Sequence, residues 1–126
     1  MLSLANYTLL PIPLFTFSTI KDKISKTMEN QLKSTLEIIK KDEENFYKFA
    51  YEKNETLTPG QMQEVEKLED FYLWYSDTLA DIVESEENKK EKLYKYFDEL
   101  YTLVLKLTTE ISYIRSKNRQ LLENAA

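Results

Sequence analysis

From Ile20 to Leu121 the apolar residues recur three and four positions apart, the period of one helix face rather than the alternation of a half-buried strand. The first run comprises Ile20, Ile24, Met28, Leu32, Leu36, Ile39, Phe46 and Phe49/Ala50. It predicts one long helix over about residues 18–54. Thr16 is the best placed cap, because Phe15 before it can staple onto Ile20. Asn54, with Lys53 in the last turn, is the expected left-handed terminator.

A second helix starts abruptly at LTPGQM, residues 57–62. Thr58 and Gln61 have the spacing of a capping box, in which each side chain takes the other residue's backbone N–H. Pro59 falls at the first helical position, where a missing N–H costs nothing. Leu57 and Met62 flank the box as a hydrophobic staple. Val65, Leu68, Tyr72, Tyr75, Leu79 and Ile82 then form a seam with steps of three and four, predicting a helix over 59–84. Phe71 and Trp74 widen that seam and suggest burial on two sides. The short link between the first two helices makes them antiparallel neighbours.

The stretch ESEENKKEK, residues 84–92, has no apolar side chain. It could be a solvated part of a continuous helix, but a helix from 59 to 122 would be about 95 Å long and would need a partner throughout. A reversal is preferred, with Asn88 capping a third helix over 89–122 and Glu91 completing a box. That helix has the most regular seam: Leu93, Phe97, Leu100, Val104, Leu107, Ile111, Ile114, Asn118 and Leu121. The fold expected is all-α, a coiled-coil-like antiparallel bundle of three long helices.

Branched residues at one core position, Leu at most of the others and a single Asn suit a parallel two-stranded coil. Leu107, Ile111, Ile114, Asn118 and Leu121 are therefore the candidate interface of a homodimer through the third helix, with Glu110 and Arg115 placed to pair between chains. The competing use of the same seam is the interior of a monomeric bundle. The aromatic residues, among them Tyr47, Tyr51, Phe71 and Trp74, read as a core layer more readily than as a ligand pocket.

Composition removes several chemistries. There is one Gly, no Cys and no His, so the turns of a nucleotide-binding α/β fold, disulfides and the usual general base are all missing. No phosphate loop or nucleophile elbow occurs. The expectation is no catalytic residue, no cofactor and no metal site. Net charge is −5, which argues against nucleic acid. Fifteen of the 22 acids lie within 42–91, among only five Lys, so the middle is strongly acidic.

Residues 1–20 carry no charge. Pro11 and Pro13 break a helix there, and neither the basic start nor the cleavage site of a signal peptide is present. Residues 1–17 read as an extended apolar arm ahead of an 18–126 bundle. Leu9, Leu10, Ile12, Leu14, Phe15 and Phe17 are its contact residues, resting in a groove of the bundle, on a membrane surface beside Lys21, Lys23 and Lys26, or on another protein. The function expected is that of a non-enzymatic interaction protein (a scaffold, adaptor or inhibitor) in the cytoplasm or peripheral to a membrane. The alternatives are a membrane-associated protein anchored by its first residues and an acidic, immunity-type inhibitor of a basic partner surface.

Overall fold

The computed structural model describes residues 26–125; the expected arm over 1–17 and the expected helix start at about residue 18 lie outside the described residues. The described chain forms three long helices: α1 (Lys26–Glu52), α2 (Pro59–Val83) and α3 (Tyr94–Ala125), with a short 3-10 turn at Asn88–Lys90 before α3. The expected all-α three-helix bundle is what forms. Near the helix starts, the Tyr96 hydroxyl of α3 donates to Glu29 of α1 at 3.2 Å. Near their ends, Lys117 of α3 donates to the Ala50 carbonyl of α1 at 2.9 Å. Thus α1 and α3 run parallel, and α2 opposes both.

α3 packs closely along each of the other two helices, whereas α1 and α2, expected to be close neighbours across their short link, make little close contact with each other; α3 is the helix both share. Its seam residues Phe97, Leu100, Val104, Leu107 and Ile111 are fully buried, as are Leu32, Ile39 and Phe46 of α1 and Val65, Tyr75 and Leu79 of α2. The three-four spacing fills the interior of one chain, as expected where apolar stripes meet along antiparallel and parallel neighbours.

The first link follows the sequence pattern closely. Thr58 accepts from the Gln61 N–H at 3.1 Å, and Gln61 accepts from the Thr58 N–H at 2.9 Å. Leu57 is buried and Met62 partly buried against the core.

The second link differs. Asn88 does not cap α3; it is wholly buried, and its Nδ2 donates to the Ile82 carbonyl at 3.0 Å. α3 begins at Tyr94, five residues later than expected at 89, and its hydroxyl donates to the Val83 carbonyl at 3.1 Å. Both side chains close the end of α2, Asn88 through its Nδ2 alone, since its Oδ1 is buried without a hydrogen-bond partner.

This pattern has a cause. A helix leaves its last carbonyls without partners, and many helices close there with a left-handed Gly. Among the described residues none has positive φ, neither the single Gly nor the expected Asn54. The chain instead sends side-chain donors from a distance. Lys117 covers the end of α1 through the Ala50 and Lys53 carbonyls, and Asn88 and Tyr94 cover the end of α2.

Candidate functional site

The seam residues expected to bind a twin are in the chain's own core. Leu107 and Ile111 are fully buried, Ile114 and Asn118 nearly so, and Leu121 is half-buried. Pairing through this seam would have to displace α1 and α2. Asn118 has a task within the chain: its Oδ1 accepts the Leu57 N–H at 2.7 Å and satisfies a buried backbone donor of the first link. Arg115 is engaged too, pairing with Glu69 of α2 and lying 3.6 Å from Glu66. Glu69 is buried, and its second oxygen accepts from Ser112 at 2.8 Å. The expected arm contacts, Leu9 to Phe17, lie outside the described residues.

The aromatic residues divide between two environments. Phe46, Phe49, Tyr72, Tyr75 and Phe97 join the core. Burial pushes the hydroxyl pKa values of Tyr72 and Tyr75 above the usual range. Tyr47, Tyr51, Trp74 and Tyr113 are instead each more than 40% exposed (49%, 48%, 48% and 43%). Trp74 does not bury a second side of α2 as its position suggested, and its neighbour Leu73 is equally open.

Three of the exposed rings border a groove of about 520 Å³ between the parallel helices α1 and α3, or extend it. α1 supplies Glu43, Tyr47 and Tyr51, four residues apart and so stacked on one helical face. α3 supplies Thr102, Leu105, Lys106, Thr109 and Glu110 by the same rule. The Tyr47 and Tyr51 rings lie 4.9 Å apart, and Tyr113 continues the strip 4.8 Å from Tyr51. Sequence reasoning placed Tyr47 and Tyr51 in an aromatic core layer. The overlooked signal is phase: Tyr47 and Tyr51 each follow a core residue, Phe46 and Ala50, by one position and so point off the buried face.

The groove contains one unusual acid. Glu110 is only 5% exposed, and its Oε2 has no hydrogen-bond partner. Burial, then the hydrogen bond and the negative charge of Glu43, hold its carboxyl well above the usual range, against the pull of Lys106. Asp42, which is not among the groove residues and acts on Tyr72 of α2, is pushed up to about 6, again by burial.

No family model, curated protein or solved structure matches the chain. Among the described residues no three metal-ligating side chains come together, and no helix is long and apolar enough to cross a membrane.

Proposed function

We propose that this chain is a non-enzymatic interaction protein whose working surface is the α1–α3 groove and its tyrosine strip. The observation that carries the reading is the exposure of Tyr47, Tyr51, Tyr113 and Leu105 side by side, while the α3 seam is already used inside the bundle. Tyrosine offers a large rigid face with a polar tip, which is why it is enriched where proteins meet. A contiguous apolar strip is costly to leave in water and gains free energy when a partner covers it.

A triple variant, Tyr47→Ser, Tyr51→Ser and Tyr113→Ser, tests this. It should keep the melting temperature of the parent, since the rings are exposed, but lose a partner that the parent captures and that rebinds as a purified protein. Equal capture by both proteins would count against the groove.

A second reading draws on α2, where Glu64, Glu66, Asp70, Asp77 and Asp81 are all exposed. That acidic face suits an inhibitor of a basic surface, and binding there would weaken steeply with salt. The membrane reading depends on residues 1–17, which are not described.

A further inference from the structure

Resting on the groove as a binding surface, we infer that it is built to take a guanidinium group, with Glu110 and Glu43 as the anions and the Tyr47 and Tyr51 rings as the wall. The first ground is an imbalance of donors and acceptors. Thr102 and Thr109 donate their hydroxyl hydrogens to the Asp98 and Leu105 carbonyls of their own helix, each at 3.1 Å. Their oxygens therefore remain in the groove only as acceptors, beside two carboxyl groups. A guanidinium presents five N–H donors and no acceptor.

The second ground is Glu110 itself. A buried polar atom without a partner is rare, because it forfeits the water it gave up. The Glu110 Oε2 is such an atom, on a residue that lines an open groove. A cation there would supply both the missing hydrogen bond and the missing charge.

The third ground is the wall. A planar cation stacks on aromatic faces as a hydrated ammonium does not. Lys106, the one cation of the lining, is exposed on a flexible stem and can give way to the ligand.

A proton is part of the equilibrium. Glu43 on α1 and Lys106 on α3 are the charged groups that act on Glu110, while on α2 Glu66 and Glu69 are held by Arg115. The elevated pKa leaves the free Glu110 carboxyl holding its proton beyond the usual carboxylate range. An arriving guanidinium favours the carboxylate, so the O–H proton passes to solvent and affinity rises with pH.

The test is an NMR titration of the full chain with n-butylguanidinium, and with n-butylurea as a neutral near-isostere. Butylguanidinium should shift the Glu43, Tyr47, Lys106 and Glu110 amides saturably, with calorimetric heats that depend on the buffer as a proton is released. Glu110→Gln, which should fold at least as well, is expected to bind roughly tenfold more weakly or worse. A capped arginine tripeptide that binds likewise would assign the site to an arginine side chain. Binding of the free cation alone would assign it to a small molecule, and either result supports the guanidinium chemistry. Equal binding of butylurea, or undiminished binding to Glu110→Gln, would overturn the inference and leave an apolar groove still able to meet a protein. Absence of any shift would overturn it as well, and the triple tyrosine variant then decides separately whether the groove is an interface.

Discussion

The two connections of the bundle end and restart helices by different means. Between α1 and α2 the restart is local and lies at the surface: Thr58 and Gln61 exchange hydrogen bonds three residues apart. Between α2 and α3 the closure is buried and reaches further, with Asn88 contacting Ile82 and Tyr94 contacting Val83. A surface cap competes with water for every hydrogen bond, so its net worth is small. A buried one has no such substitute, and losing it costs the full desolvation of the group left behind. The second link should therefore be the more sensitive one, although its residues look like a solvated run.

Asn88→Ala should show the largest effect, about 3 kcal/mol of lost stability in urea denaturation. It removes a fully buried side chain and orphans the Ile82 carbonyl, losses that outweigh the relief of removing the unpartnered Asn88 Oδ1. A loss no larger than that of a surface cap would show that Asn88 is not needed to close α2. Asn118→Leu comes next, costing about 2 kcal/mol because the buried Leu57 N–H loses its acceptor. The coiled-coil interpretation of Asn118 demands the opposite sign, a gain in stability with higher oligomers, so light scattering beside the melt separates the two. Thr58→Ala should cost about 1 kcal/mol, the usual worth of a cap; if it exceeded Asn88→Ala, the comparison would be inverted. Gly60→Ala should be the smallest effect and a favourable one, about 0.5 kcal/mol. Its φ is not positive, and an added Cβ would meet only the Thr58 hydroxyl oxygen at 4.0 Å. A loss there would mean that the start of α2 is strained.

The same contrast marks what the residues alone could reveal. The seam periodicity gave the three helices and nearly the whole core, because burial on a helix repeats with a fixed period. The Thr58–Gln61 box was legible because both partners lie within one turn. Asn88, Asn118 and Lys117 were not, because their partners are six, 61 and 67 residues away. Short-range rules offered Asn88 as a cap and Asn118 as a register residue, and both assignments are displaced by carbonyls or amides that only the folded chain brings near. The groove was missed for a related reason. Tyr47 and Tyr51 differ from core aromatics by one position of helical phase, and the Glu43–Glu110 contact exists only because α1 and α3 lie side by side.

Lys117 carries a consequence for how the chain acquires its shape. It sits in the third helix, the last of the three to be synthesised, yet it seals the end of the first through Ala50 and Lys53. Asn118 beside it secures the first link, and Arg115 grips α2. A nascent chain that has emerged only to about residue 93 has the local cap of the first link, but α1 and α2 meet mainly through α3, and it lacks the seal at the end of α1 and the acceptor for Leu57. Folding should therefore wait for α3, the helix on which both of the others pack. Contacts 61 and 67 residues apart raise the contact order, so refolding should be slower than for a helical bundle whose neighbours meet in order.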